Sequence, residues 1–300
     1  MLQTMDRHDV KIRCDLSIVI AEEMSAANLP EIFASLQPER WPNVEFILCS
    51  GSNVDAFPGV PESNNVRIIP APTGSRIPLL WRDGILAARA DRVALTTAHC
   101  VPSSTWVEQL LTYPLQADQV AVGGAIANQD NDDAVGRAIY LLRYVRYTTA
   151  HTSGQVADIA ADNAIYRKAD ILAHPDLLQI GFWEPSFHER FVAQGLQMQF
   201  DNQLLVVHKN CYSISGFMWQ RFSHGIEFGM ARAKKMSRMR RLAMILLSPL
   251  IPLIFAKKIL AKAKGNAQIE STINRDLFWL MIFILAWAAG ETIGYLRKVA

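Results

Sequence analysis

The chain has 300 residues, 50% of them hydrophobic, 19% charged and 9% aromatic, with a mean hydropathy of +0.10. That length buries one large α/β core or a core with an appendage, and so low a charged fraction excludes a disordered chain. Four cysteines stand far apart with no C-x-x-C pair, and the net charge is only +2; these argue against a disulfide scaffold, a structural zinc site and a dedicated nucleic-acid binder.

Residues 1–15 are polar and mixed in charge, without the pattern of a secretory signal. Residues 16–20 form the short apolar run that a buried parallel strand requires. Asn28 is expected to cap the next helix, with Pro30 in its first turn and Glu31 three residues after the cap. Strands are predicted over 44–49, ending at a Ser-Gly-Ser-Asn turn, and over 66–69. A helix over 77–89 leads into a fourth strand at 92–97, and Pro102 opens a helix through Trp106 and Leu110. Further on, 120–126 reads as a strand, 134–147 as a helix and 163–167 as a short strand. A helix over 183–194 and a strand over 203–208 follow. The alternation predicts an α/β domain over residues 1–215, a mostly parallel sheet with helices on both faces.

Residues 216–300 differ in charge and polarity. They hold 14 Lys and Arg against 4 Asp and Glu, while the first 215 residues hold 16 against 24. An amphipathic helix is predicted over 216–238 from the spacing of Trp219, Phe222, Ile226 and Met230. Residues 242–256 are 15 uncharged residues interrupted by Pro249 and Pro252, and 277–296 are 20 residues whose only charge is Glu291. The second run is long enough to cross a bilayer; the first is short and broken. Basic residues flank each end (Arg240 and Arg241; Lys257, Lys258, Lys262 and Lys264; Arg297 and Lys298), so a simple two-helix hairpin puts one cluster on the wrong side. The pattern predicts membrane-associated helices that lie in or re-enter one leaflet, with at most one full span, on an anionic membrane surface. The competing reading is a pair of core helices in a soluble domain.

In an open parallel sheet, ligands bind at the carboxyl ends of the strands. Attention therefore falls on Glu22, on Ser50 and Ser52, on Thr97 and His99, and on Arg76 and Arg82 of the intervening helix. The order of these segments resembles family 2 of the glycosyltransferases, which have a GT-A (Rossmann-like) fold. The resemblance is carried by 16–20, by Trp41-Pro42 and 44–49 with Gly51-Ser52, and by Gly84 to Asp91 before Val93–Pro102 and Trp106. Asp162 to Arg167, Gly181-Phe182-Trp183-Glu184, Arg190…Gly195, His208 and Gln220-Arg221-Phe222 complete it. It spans roughly residues 15–230; no single motif is strong, but their order and spacing are.

The resemblance implies a nucleotide-sugar donor and a divalent cation, Mn²⁺ or Mg²⁺, held by an Asp-x-Asp at the fourth strand. Here Thr97-Ala98-His99 stand in its place, and Cys49 and Ser50 replace the aspartate pair after the second strand. Three readings stay open. His99, with Thr97 as an oxygen ligand, holds a metal; or Arg76, Arg82 and Arg221 offset the diphosphate charge; or transfer is lost. For His99 itself the alternative is a strand-end histidine bonded to backbone.

By position the resemblance makes Glu184 the catalytic base of an inverting mechanism, taking the proton of the acceptor hydroxyl. The alternative is a helix N-terminal acid favoured by the dipole. His188, one turn on, shares its face and is expected to orient the base or contact the acceptor. Ser50 and Ser52 are placed at the ribose or base, and Asp162 and Asn163 at the acceptor side. Gln220 and Arg221 resemble a Gln-x-x-Arg-Trp element near the diphosphate. The implied function is a membrane-associated hexosyl-type transferase, moving a sugar to a lipid-linked acceptor at the cytoplasmic face of the cell membrane. The alternative is an inactive GT-A domain that scaffolds another transferase.

Overall fold

The computed structural model describes residues 14–23, 26–52, 57–129, 133–234, 236–263 and 267–297. Asn53 of the predicted turn and the basic residues Lys264 and Lys298 lie outside them.

β1 (Leu16–Glu22) is buried along its whole length, which requires cover on both faces of the sheet. α1 (Leu29–Leu36) turns Leu29, Ile32, Phe33 and Leu36 inward, the stripe of a helix with one buried face. Asn28 occupies its N-cap position but makes no capping bond. Its Nδ2 donates instead to the Ala98 carbonyl at 3.0 Å, tying the helix start to the loop after the fourth strand.

β2 (Val44–Ser50), β3 (Val66–Pro70), α2 (Ile77–Ala87), β4 (Arg92–Thr97), β5 (Cys100–Pro102) and α3 (Trp106–Thr112) follow. Next come β6 (Gln119–Asn128), α4 (Ala134–Tyr144), β7 (Gly154–Val156), β8 (Asn163–Arg167), α5 (Lys168–Leu172), α6 (Pro175–Leu178), α7 (Glu184–Ala193) and β9 (Gln197–His208). α8 (Ile214–Lys234), α9 (Arg238–Leu246), α10 (Ile251–Ala263) and α11 (Ala267–Leu296) complete the chain.

Among the described residues the strands form one sheet in the order β3-β2-β1-β4-β8-β6-β9-β5, with β7 on β9. β3, β2, β1 and β4 are mutually parallel, whereas β8 runs antiparallel to both β4 and β6. The expectation of a mostly parallel sheet therefore holds for the first half only. Hydrophobic alternation has the same period in either direction, so the run at 163–167 carried no sign of its sense. From β1 the chain leaves to one side through α1 to β2 and returns on the other at β4. The crevice of an open α/β sheet lies at such a switch point, here at the adjacent ends of β1 and β4.

On one face Val19, Ala21, Ile47 and Cys49 pack against Leu80, Trp81 and Ile85 of α2 and Phe187 and Phe191 of α7. Gly84 permits this approach: a Cβ there would stand 2.2 Å from Val19 Cγ1 and 3.1 Å from Cys49 Sγ. Burial, and then the charge of Asp83, pushes the Cys49 thiol up to about 12. Because the thiolate is the reactive form and Cys100 is also fully buried, a thiol reagent at mildly alkaline pH should label only Cys14 and Cys211 in the native chain. Mass mapping should find Cys49 and Cys100 labelled only after denaturation; rapid native labelling of Cys49 would contradict this packing.

Two compact units divide the chain: Met1–Ala125 with Thr152–Val206, and Ile126–His151 with Val207–Ala300. Residues 126–151 thus join the C-terminal helices, where a boundary near 215 was expected. α4 belongs there because Arg137 donates to Asp276 of α11 through Nε and Nη2, at 2.7 and 2.9 Å.

Within the second unit α8 and α11 meet along Gly225, Gly229, Gly290 and Gly294, two small residues four apart on each helix. A Cβ on Gly290 would lie 2.0 Å from the Phe222 carbonyl oxygen, and one on Gly225 2.3 Å from that of Trp287. Glu291, the one acid of the apolar run, is buried against α8. It accepts from Tyr295 Oη (2.5 Å), Arg232 Nη1 (3.1 Å) and Trp287 Nε1 (3.2 Å). α9 and α10 are bent by 50° about the turn that holds Pro249.

Candidate active site

The ends of β1, β2 and β4 are in register: Glu22 pairs with Ser50, and Ala21 with both Cys49 and Thr97. Glu22 is fully buried, and its two carboxylate oxygens accept from Ser50 Oγ (2.6 Å) and Ser52 Oγ (2.8 Å). A buried carboxylate with a hydroxyl on each oxygen is satisfied. The protons of Ser50 and Ser52 are therefore spent on Glu22, which leaves only lone pairs for a ligand. Alternation sends Cys49 to the opposite face, into the α2 packing. Gly51 lets the next loop close in, since a Cβ there would meet the Ser75 carbonyl oxygen at 2.8 Å. Arg76 follows directly, in extended backbone at the start of α2, beside this strand-end turn.

Arg82 is placed differently from expectation. Its Nε and Nη2 reach Asp83 Oδ1 at 2.8 and 2.7 Å, and Nη1 donates to the Gln179 carbonyl at 3.3 Å. Its charge is offset by the adjacent residue, so it is not a cation held ready for a diphosphate.

At the end of β4, Thr97 and His99 are both buried. The Ala98 amide donates to the Ala21 carbonyl at 2.9 Å, and Thr97 Oγ1 donates to Asp162 Oδ1 at 3.1 Å. The residue before Asp162 reaches the other side: the Ala161 amide donates to Glu184 Oε1 at 2.5 Å. Two consecutive residues thus bond to Thr97 and to Glu184. The strand-end loop and the carboxylate at the start of α7 are brought together.

Asn163 plays a structural part, which corrects its placement at the acceptor side. It is fully buried, donates to the Ala125 and Leu204 carbonyls at 2.8 and 2.9 Å, and accepts from Trp106 Nε1 at 2.7 Å. Its amide carries the hydrogen bonds that join β6, β9 and α3. His188 is buried too, with Nε2 2.9 Å from Tyr166 Oη and Nδ1 2.8 Å from Asp158 Oδ1. Both ring nitrogens are engaged, and the ring lies nearly parallel to that of Tyr166. Asp158 and Tyr166 were not singled out in the sequence; Asp158 lies in a loop where no spacing marks it. Glu189 is exposed.

Gln220 and Arg221 belong to the second unit. Gln220 Nε2 donates to Tyr212 Oη at 2.9 Å. Arg221 donates to Gln220 Oε1 and lies 5.0 and 5.5 Å over the rings of Phe217 and Trp287. That guanidinium is held by aromatic faces.

The donor set does not fit a protein-built divalent centre. Hard cations take six or more oxygen ligands, carboxylates first. The end of β4 offers one hydroxyl, one imidazole and the single carboxylate of Asp162. Among the described residues no three His, Cys, Asp or Glu group together.

A family model for glycosyl transferase family 2 matches residues 17–172. The match includes every first-unit candidate except Glu184 and His188. No curated protein matches the sequence. Among solved structures the chain resembles a mannosyltransferase, PcManGT from Pyrobaculum calidifontis, in complex with GDP-Man and Mn²⁺. The TM-score is 0.53 and the identity 13%, over 95% of this chain and 88% of that one; a likeness at that identity speaks for the fold.

Proposed function

Because the chain belongs to the family 2 glycosyltransferases, we propose that it transfers a sugar, with inversion, from a nucleotide-sugar donor to a hydroxyl or phosphate of a lipid-linked acceptor at the cytoplasmic face of the cell membrane. The observation that carries this is the junction at Ala161 and Asp162, which joins the end of β4 to Glu184. The donor diphosphate lies at the ends of β1 and β4, with Arg76 as the cation beside the Gly51 turn. The hydroxyl and ring groups at Ser50, Ser52, Thr97 and His99 line the donor side.

Glu184 is the base. The Ala161 N–H fixes one carboxylate oxygen at the start of α7, and the carboxylate takes the acceptor proton in line with attack on the anomeric carbon. His188 is a positioning residue: fixed between Tyr166 and Asp158, it locks the first turn of α7 on which Glu184 stands. Asp162 braces Thr97. No step is assigned to a cation, since the donor set at Thr97 and His99 does not match one.

Membrane association is supported by composition and exposure. Ile269–Leu296 has mean hydropathy 1.7 over its most apolar window, of which only 39% is buried. α9 has no buried residue, with Met239 77% and Leu246 71% exposed. Apolar side chains left in this way are covered by acyl chains at lower free energy than by water.

A panel of nucleotide sugars given to the detergent-purified chain tests the proposal. One donor should release its nucleoside diphosphate slowly alone and faster with a polyprenyl phosphate. If no donor is turned over and none raises the melting temperature, the transferase reading falls and the scaffold alternative takes its place.

A further inference from the structure

The second unit holds a cavity of about 380 Å³ between α4, the segment 148–150 and the first turns of α11, the size of a small-ligand pocket. Ile269, Thr272 and Arg275 face it from α11 at intervals of three, Arg137 from α4, and Asn128 and Thr148 from the connecting chain.

Two features of its wall define what fits. Thr148 is 4% exposed and its Oγ1 has no hydrogen-bond partner among the described residues; the buried Oδ1 of Asn128 has none either. Buried polar atoms are nearly always paired, so these await partners from outside the chain. An amide oxygen can only accept, so its partner must bring a proton. The second feature is charge. Arg137 and Arg275 share one carboxylate, Asp276: Arg137 binds it through two nitrogens, while Arg275 Nε stands 3.6 Å away on a side chain 60% exposed. Arg275, exposed and only loosely set against a carboxylate that Arg137 already holds, puts a guanidinium at the cavity mouth. A bare anion would meet Arg275 but face the Asn128 oxygen with another acceptor. A neutral polyol would leave the charge unmet.

We infer that this pocket binds a phosphate ester that carries hydroxyl groups, its phosphate at Arg275 and its hydroxyls at Asn128 and Thr148. The head of an anionic membrane lipid is the source the geometry favours, because the apolar run of α11 begins at 277, two residues beyond Arg275. If α11 enters the bilayer along that run, the pocket sits at headgroup depth. For the source of the ligand, though not for its chemistry, we rely on the membrane association proposed above.

The test uses the full chain and two matched probes. Vesicles of phosphatidylcholine are made with phosphatidylglycerol or with an equal share of phosphatidylmethanol, which has the same charge and no headgroup hydroxyl. Glycerophosphoglycerol is titrated separately into the chain in detergent. The chain should partition about fivefold better into phosphatidylglycerol vesicles, the equivalent of one hydrogen bond. Thr148→Val, which changes no charge, should abolish that preference. Arg275→Gln, at an exposed side chain that the fold does not need, should weaken glycerophosphoglycerol binding about tenfold. Binding of the soluble headgroup that Thr148→Val weakens, with no vesicle binding, upholds the pocket and overturns the membrane reading. Equal binding to both vesicle types with no uptake of the soluble headgroup overturns the pocket and leaves the membrane reading standing. If Thr148→Val and Arg275→Gln both bind as the parent chain does, the assignment is wrong.

Discussion

Glu184→Gln is expected to lower transfer by about 10²–10⁴-fold, the range of a general base, or roughly 3–5 kcal/mol of transition-state stabilisation. The substitution is informative because it separates chemistry from architecture. A glutamine oxygen still accepts from the Ala161 amide, so the start of α7 and its attachment to the Asp162 segment survive. What disappears is the lone pair basic enough to take the acceptor proton. The loss should therefore appear in kcat, and equally in kcat/KM, with donor KM nearly unchanged and the melting temperature within a few degrees. Glu189→Gln on the same helix, at an exposed site, serves as the matched control and should leave the rate unaltered. A Glu184→Gln enzyme working within tenfold of the parent would remove Glu184 as the base. Asp158→Asn, which perturbs the group behind His188, should be the milder change, because it acts through the position of a helix turn.

A large effect on stability is expected from Gly290→Ala, and its sign is opposite to what helix propensity predicts. In an exposed helix interior alanine is favoured over glycine by about 1 kcal/mol. Here the new methyl would begin 2.0 Å from the Phe222 carbonyl oxygen, and that atom is backbone. It cannot rotate aside; α8 and α11 must separate instead. Overpacking of this kind costs about 1–3 kcal/mol, and separation also loosens the Arg232, Tyr295 and Trp287 contacts to Glu291. We expect a net loss of about 2 kcal/mol, read as a lower unfolding midpoint in detergent. A Gly225→Ala, Gly290→Ala double variant should cost less than the sum, since both changes open the same seam. A rise in the midpoint for Gly290→Ala would mean that the helices do not touch along these glycines.

Much of the fold was legible because it is written locally. The apolar runs at 16–20 and 44–49 marked buried strands, and the candidate residues were chosen at the ends of those strands. What escaped was whatever depends on a distant partner. Asn28 has the look of a cap, yet its amide is drawn to a carbonyl 70 positions away. Glu22 was read as a ligand group, but the two serines expected to serve beside it are spent on its own oxygens. The link from Thr97 to Asp162 spans 65 positions, and no period or spacing announces it. Arg82 failed for a nearer reason: the acid that offsets it is the next residue. Glu184 could be picked by the order of motifs, whereas its attachment to Ala161 required the chain to be folded.

The ion pair between Arg137 and Asp276 joins residues 139 positions apart, and it has a consequence for how the molecule is made. On the ribosome α4 emerges more than a hundred residues before its counterpart on α11 is translated. That helix must wait, without its partner, until α11 has been made. A shortened gene that stops after β9 would strand that helix for good.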